Sequence, residues 1–261
     1  TPGAQGGCRA VMLLLWTVFA AVEPENVDAF LEELSVRRDA IRVVQARIER
    51  ENVTTDGVFE ARGTMLFVHP KRIVFRYDES SETDLLIDAL RLYRYDEDME
   101  QLQIDDLQDD PATEALYMGF AKDFKRLREA FDVSLFIPEV KEGAVKGLLL
   151  RPRKRESEDE AASAGPAAAF EEVYLYLRET DYLPTRVIVV NDANSRVEIR
   201  MSEYRVNEAV EPGQTQFSIP EGTVIIENQE TYEEAPAGGL LLPRDPAVID
   251  IPIPSEEIPA P

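Results

Sequence analysis

Apolar and polar residues alternate through residues 59–104, and this two-residue period predicts a run of short antiparallel strands. In the first strand, Phe59, Ala61, Met65 and Phe67 share the odd positions, with charged or polar residues at many of the positions between them. The second strand repeats the period through residues 73–77. Residues 84–88, 91–95 and 99–104 follow as further strands, separated by turns. The pattern predicts a sheet with one apolar face and one polar face.

Two segments with helical periodicity are available to cover the apolar face of such a sheet. Residues 24–36 begin with a proline and place apolar residues at helical spacing, so we expect a helix that docks on the sheet. Residues 111–132 are amphipathic and rich in Phe. This second stripe fits a movable lid over an apolar cavity and also fits an ordinary packed helix, and the pattern leaves both open.

The pattern divides the chain into three parts. Residues 1–22 contain a short apolar run after a single Arg9, which is typical of a cleaved secretory signal peptide, an uncleaved anchor or buried helix being the alternatives. Residues 23–228 form the predicted domain, interrupted by a disordered loop at 154–169. Residues 229–261 are rich in Pro and Glu and predict a disordered acidic tail, in which 240–242 and 249–253 are candidate docking segments.

Composition excludes several classes of function. The formal net charge of −23 argues against binding nucleic acid, because the phosphate backbone requires a basic surface. The chain has one histidine, His69, and one cysteine, Cys8, which lies before the apolar run. A catalytic triad or a histidine-rich metal site needs more such residues, so we expect no enzyme activity, no catalytic residues, no metal and no cofactor.

Several short motifs follow one another through the predicted domain. They are Gly63-Thr64-Met65, His69-Pro70, Phe75-Arg76-Tyr77, Asp88-Ala89, Leu92-Tyr93-Arg94-Tyr95, Glu100-Gln101, Leu149-Leu150-Arg151-Pro152 and Phe217-Ser218-Ile219-Pro220-Glu221-Gly222. No single motif is specific, but the ordered set spans most of the predicted domain. Its order resembles that of the outer-membrane lipoprotein carriers of the LolA family.

The resemblance implies an α+β, mainly β fold. This fold is an incomplete antiparallel β-barrel with an N-terminal helix and a helical lid over an apolar cavity. It also implies a monomeric periplasmic carrier that binds the acyl chains of lipoproteins or another envelope lipid. Such a carrier takes cargo from an inner-membrane lipoprotein-releasing ABC transporter and passes it toward the outer membrane, to a LolB-like acceptor where one exists. The alternative is an envelope sensor or adaptor with the same fold that binds protein instead of lipid.

On this reading the lipid-binding residues are inward-facing side chains of the sheet and the lid. The candidates are Phe67, Phe75, Tyr77, Tyr93, Leu102, Phe120 and Phe124. Each of them also fits plain core packing. In the LolA family an Arg usually precedes the turn proline and holds the lid closed, whereas this chain has His69 there, and Ala89 replaces the hairpin Gly. If His69 is the lid latch, closure should be weaker and sensitive to pH near neutrality.

Overall fold

The computed structural model of the 261-residue chain describes most of the predicted domain and part of the predicted tail. The described residues are 26–79, 82–88, 91–107, 117, 119–120, 124–139, 143–153, 170–228 and 231–243. The predicted signal peptide, the predicted loop at 154–169 and much of the predicted lid segment lie outside them.

Helix α1 (Val27–Arg38) confirms the predicted first helix, but it begins three residues later and ends two residues later than the predicted 24–36. The side chain of Asn26 accepts a hydrogen bond from the Asp28 amide at 2.9 Å, which satisfies one of the free N–H groups of the first turn. Phe30, Leu31 and Leu34 are buried against the sheet. A second, short helix, α2 (Lys125–Ala130), lies within the segment predicted to be a lid.

Fifteen strands account for most of the remaining described residues. In chain order they are β1 (Val43–Thr54), β2 (Gly57–Val68), β3 (Arg72–Tyr77), β4 (Asp84–Asp88), β5 (Arg91–Asp96), β6 (Gln101–Asp106), β7 (Phe131–Phe136), β8 (Ala144–Pro152), β9 (Glu172–Arg178), β10 (Pro184–Asp192), β11 (Ser195–Val206), β12 (Phe217–Ile219), β13 (Val224–Glu227), β14 (Thr231–Glu234) and β15 (Leu240–Leu242). A short 3₁₀ helix, Pro212–Thr215, precedes β12.

Thirteen of these strands form one large open sheet. Its order is β14-β13-β6-β5-β4-β3-β2-β1-β11-β10-β9-β8-β7, and the neighbours are antiparallel except for the parallel pair β6 and β13. β12 and β15 pair separately. The predicted fold class, a mainly β protein built on an incomplete antiparallel barrel, is confirmed.

The sheet buries apolar residues on both of its faces, so the expectation of one polar face is wrong for part of it. We call the side under α1 and the lid segment the first face, which carries Met65, Phe67 and Phe75. The opposite side is the second face, where Leu66 and Val74 are buried in a separate cluster. This second cluster stays dry because the C-terminal part of the chain, including β12 and β15, packs over strands β2 to β6.

The beginning of the predicted tail is ordered, which corrects the predicted boundary at residue 228. β14 extends the large sheet beside β13, and β15 pairs with β12 in the register Phe217–Leu242 and Ile219–Leu240. Leu242 is buried, so this segment gains apolar burial that its Pro- and Glu-rich surroundings in the sequence do not suggest. Residues 229–230 and 244–261 lie outside the described part of the chain.

No helix within the described residues has both the length and the apolarity that crossing a bilayer requires.

Candidate functional site

The floor of the candidate site is the first face of strands β2 and β3. Phe67 and Phe75 are only 2% and 3% exposed, and Phe75 pairs with Met65 across the two strands. Residues that alternate along one strand and pair directly across two strands share a face, which is how the two-residue period becomes a continuous apolar surface. The prediction that these phenylalanines point toward the helices agrees with the structure.

Tyr77 lies at the edge of this floor, where the apolar surface meets charged groups. The Arg50 guanidinium is 4.5 Å from the centre of the Tyr77 ring, and its Nη1 donates a hydrogen bond of 2.9 Å to the Tyr77 hydroxyl. Arg50 also forms an ion pair with Glu82. Burial raises the pKa of the Tyr77 hydroxyl, so this group remains a neutral phenol at physiological pH.

The roof of the site is the lid segment. The ring of Phe120 stacks on Phe67 with 5.0 Å between ring centres, and Phe124 and Leu127 are buried in the same cluster. The Tyr117 hydroxyl donates a 2.8 Å hydrogen bond to the carbonyl oxygen of Lys71, in the turn between β2 and β3. These contacts tie the lid segment to the strands that carry the floor.

Helix α1 covers the neighbouring part of the first face and is held at its C-terminal end. Phe30 packs on the ring of Tyr182, with 5.1 Å between ring centres. Arg37 donates to the carbonyl oxygen of Glu179 at 2.7 Å, and buried Arg38 donates to that of Tyr182. Burial lowers the pKa of the Arg38 guanidinium to about 9. Several side chains and two backbone carbonyls of the β9–β10 turn therefore fix α1 on the sheet.

Two of the predicted lipid-binding residues do not belong to this site. Tyr93 and Leu102 are buried on the second face, in the cluster covered by the C-terminal part of the chain. β4 is the reason, because it is apolar on both faces: Leu85 pairs with Phe75 on the first face, whereas Leu86 pairs with Tyr93 on the second. Alternation within β5 therefore defined two faces without showing which of them continues the face of Phe75.

His69 lies in the turn between β2 and β3, which the lid segment contacts. It is half-buried and is followed by a cis peptide bond to Pro70. Its backbone amide donates to the carbonyl oxygen of Arg42 at 2.8 Å. Two residues further on, Lys71 accepts the hydrogen bond from Tyr117, and its ammonium group lies 5.6 Å from the Tyr117 ring centre. The latch role of His69 stays a prediction, and Tyr117 with Lys71 is an additional candidate for it.

The sequence analysis missed Tyr117 as a site residue, although a signal for it was present. The buried lid residues follow one another at alternating spacings of three and four, which is the stripe expected for one face of a helix. They are Tyr117, Phe120, Phe124, Leu127 and Phe131. Phe131 opens β7, where it stacks on Phe170 with 6.0 Å between ring centres. The stripe therefore continues from the lid into the sheet.

The chemistry of the site is that of a dry apolar layer between a sheet and two covers. Within the described part of the chain, no group of three or more His, Cys, Asp or Glu side chains is placed to hold a metal ion. Arg50 and Glu82 pair with each other at the edge of the floor. Such a layer suits the burial of hydrocarbon.

Comparison with known proteins assigns the family. The profile of the family "Outer membrane lipoprotein carrier protein LolA" matches residues 45–218, about two thirds of the chain. The chain is 22% identical to the outer-membrane lipoprotein carrier protein of Azotobacter vinelandii, over 83% of this chain and 97% of that protein. It is 21% identical to the same-named protein of Pseudomonas entomophila, over 84% and 99%.

Among solved structures, the LolA superfamily protein NE2245 of Nitrosomonas europaea is similar at a TM-score of 0.36 and 12% identity, over 69% of this chain and 94% of that one. The profile match covers β2 to β11, which carry the whole floor of the site, as well as the described residues of the lid segment. The chain therefore belongs to the LolA family of outer-membrane lipoprotein carrier proteins.

Proposed function

We propose that this protein is a periplasmic carrier that binds the acyl chains of lipoproteins, or of another envelope lipid, between the first face and the lid segment. The observation that carries the proposal is the stack of Phe120 on Phe67: an aromatic roof lies directly on an aromatic floor, within one cluster of buried apolar side chains. Membership of a family named for lipoprotein carriage supports the same assignment.

Protein side chains fill the layer in this structure, so cargo must displace the lid segment. Lifting Tyr117, Phe120 and Phe124 off the sheet exposes three buried aromatic side chains, at about 2 kcal/mol each or roughly 6 kcal/mol in total. Burying about ten methylene groups of an acyl chain returns roughly 8 kcal/mol. The two terms are similar in size, which suits a carrier that must take up its cargo and also release it.

The proposed location and partners follow from the carrier role. Export by a signal at residues 1–22 would deliver the chain to the periplasm. An inner-membrane ABC transporter would supply the lipoprotein, and a LolB-like acceptor at the outer membrane would receive it. The high negative charge would keep the loaded carrier soluble between the two membranes.

The proposal is tested by native mass spectrometry of protein purified from an exporting host, followed by organic extraction of any bound lipid. We expect about one lipid or acylated peptide per chain, and uptake of a fluorescent acyl probe by the delipidated protein. An empty protein that takes up no probe would overturn the carrier proposal, and specific capture of a protein ligand by that empty form would identify an adaptor.

A matched pair of variants on β3 locates the cargo. Phe75→Gln and Val74→Gln replace adjacent residues that are 3% and 2% exposed and face opposite sides of the sheet. An unpartnered amide on the first face should weaken acyl binding roughly tenfold, whereas the same change on the second face should not. Circular dichroism of both variants separates loss of binding from loss of fold, and equal loss in two folded variants would remove the cargo from the first face.

A further inference from the structure

The second face carries a cleft on the half of the sheet that lies away from the C-terminal strands. The cleft has a volume of about 310 Å³ and is lined by residues of β1 and of β8 to β11, among them Glu49, Tyr176, Arg186, Arg200 and Ser202. It lies on the side of the sheet opposite the candidate lipid site. Arg186 pairs with Tyr176 and Arg200 across three neighbouring strands, and along these strands such residues alternate with the buried residues of the first face. We call it the second-face cleft.

A buried carboxylate organises the charges of the second-face cleft. Glu198 is 3% exposed and accepts hydrogen bonds from Arg186 at 2.8 and 2.7 Å. Arg200, whose side chain is 49% exposed, forms an ion pair with the same carboxylate at 2.5 Å. Glu49 forms an ion pair with Arg62 at 3.5 Å. Two guanidinium groups thus share one carboxylate, and Arg200, being half exposed, presents its guanidinium to a ligand in a lining that also contains Glu49.

An aromatic patch adjoins the second-face cleft. The Phe136 ring lies edge-on to Tyr174 and to Tyr176, with ring centres 5.8 and 5.2 Å apart. The same ring covers Gly147, where a Cβ atom would lie 2.1 Å from it. All three aromatic side chains are only half-buried. The cleft and patch together suit a ligand that combines aliphatic side chains with a carboxylate.

The last described residues lie on this same face. The carbonyl oxygen of Pro243 accepts a 2.9 Å hydrogen bond from the Gln216 side chain, and the Gln216 carbonyl accepts one of 2.7 Å from Arg76 of β3. A single row of paired residues leads from there across the sheet to the cleft, namely Arg76, Thr64, Arg47 and Ser202. Three strand spacings of about 4.8 Å make this roughly 14 Å.

The residues that follow Pro243 have the chemistry that the cleft requires. Residues 248–254 read Val-Ile-Asp-Ile-Pro-Ile-Pro and combine four aliphatic side chains with one carboxylate. Val248 is five residues beyond Pro243, a span of up to about 16 Å, which is similar to the length of the row from Arg76 to Ser202 at the cleft. The two prolines favour an extended backbone and limit the entropy lost on binding. The neighbouring segment, β15, already docks on this face through leucines that precede a proline.

We propose that residues 248–254 bind intramolecularly in the second-face cleft, with their aliphatic side chains on the aromatic patch and Asp250 beside Arg200. A segment tethered this closely has an effective concentration of about 1 mM, so even a weak affinity of about 0.1 mM would leave roughly ten closed molecules for each open one. The binding would cover the half of the second face that carries the cleft. This inference is independent of the proposed carrier function.

Paramagnetic relaxation enhancement in the full chain tests the proposal. With Cys8→Ser to remove the only native thiol, a nitroxide label on Ser255→Cys should broaden the amide signals of Tyr176, Arg186 and Arg200. First-face residues such as Phe67 should keep their intensities. Uniformly weak broadening over the whole surface, or broadening confined to another face, would overturn the proposal.

Two variants and one mixing experiment complete the test. Replacing Ile249, Ile251 and Ile253 by Ser, in a segment outside the described fold, should abolish the broadening. Arg200→Gln should shift the closed population toward the open one by about two- to fivefold, whereas Arg205→Gln, on the same strand and 58% exposed, should not. Broadening of an unlabelled, isotope-enriched chain by a labelled second chain would show binding between copies and would contradict the intramolecular contact.

Discussion

At the scale of single residues, Gly63 shows how a short motif reflects a close contact between backbones. A Cβ atom on Gly63 would lie 2.1 Å from the carbonyl oxygen of Arg76 and 2.9 Å from the Cα atom of Tyr77, on the neighbouring strand. Backbone atoms cannot move aside as the end of a side chain can. The Gly-x-Met motif of the sequence therefore has a physical cause, since only glycine allows β2 and β3 to pair at this point.

Gly63→Ala should accordingly lower the free energy of unfolding by about 1–3 kcal/mol, the usual cost of forcing an atom into a packed position. Gly213→Ala is the matched control, because a Cβ atom there meets nothing within 4 Å. Chemical denaturation of both variants measures the difference. Equal stabilities would mean that the strands can separate locally at little cost.

Asp181 shows how a turn residue fixes a helix at a distance. Burial opposes its ionised form, but hydrogen bonds from Arg178, at 2.6 and 2.5 Å, and from the Leu183 amide, at 3.0 Å, lower the pKa of the Asp181 carboxyl below its usual 3.8. These bonds hold the β9–β10 turn, in which the carbonyl oxygen of Tyr182 accepts a hydrogen bond from Arg38 of α1. Nothing in the sequence pattern indicated this contact, because it joins residues 144 positions apart.

Asp181→Asn should cost about 2 kcal/mol at neutral pH, since a charged hydrogen-bond acceptor is lost. Because the pKa in the folded state is lower than in the unfolded state, the stabilisation is complete above about pH 4 and is lost as the pH falls through the folded value. The difference in thermal midpoint between wild type and variant should therefore shrink below pH 4. A difference that is constant with pH would show that the charge of Asp181 is not involved, and Asp56→Asn serves as an exposed control.

At the scale of elements, the sequence predicted the strands from β2 to β6 well. It did not show on which side of the sheet the apolar residues of each strand lie. Periodicity located β2 to β6 because each alternates and is bounded by turn residues. It misplaced Tyr93 and Leu102 because β4 is apolar on both faces, so the register, which depends on pairing, decided the outcome. Phe59 was predicted to be inside and is 53% exposed, since β2 runs beyond Gly63, the last residue that pairs with β3.

The lid segment provides the prediction at this scale. Tyr117→Phe removes the hydrogen bond to the Lys71 carbonyl and keeps the ring, so it should favour opening by about 0.5–1.5 kcal/mol, or roughly two- to tenfold. Hydrogen exchange should become faster in α2 and change much less in α1, because the β9–β10 turn holds α1 in addition to its ion pair with Arg128 of α2. Tyr174→Phe removes a tyrosine hydroxyl from the second face and should leave the exchange of α2 unchanged. Equal acceleration in α1 and α2 would mean that the two covers open together.

At the scale of the whole molecule, one sheet separates two apolar layers with different covers. α1 and the lid segment cover the first face, where the predicted lipid-binding residues Phe67, Phe75, Phe120 and Phe124 lie. The C-terminal segment covers part of the second face. The sequence analysis predicted this segment as part of a disordered acidic tail with 240–242 as a candidate docking segment, because three leucines near prolines and acids carry no period that indicates a strand. Its structure depends on a partner strand more than twenty residues away, which local patterns do not encode.

This arrangement predicts that the stable unit ends near residue 243 and not near residue 228. Ending the chain after Asn228 would remove β14 and β15 and expose Phe217 and Ile219, which are now almost completely buried. Loss of the burial of Ala235, Leu240 and Leu242, together with that of the two residues they cover, should cost about 5 kcal/mol relative to a chain that ends after Pro243. Denaturant titration of the two truncated chains gives this difference directly. If both unfold at the same midpoint, the C-terminal strands contribute nothing to the stability of the second face, and the domain boundary predicted from the sequence would be the correct one.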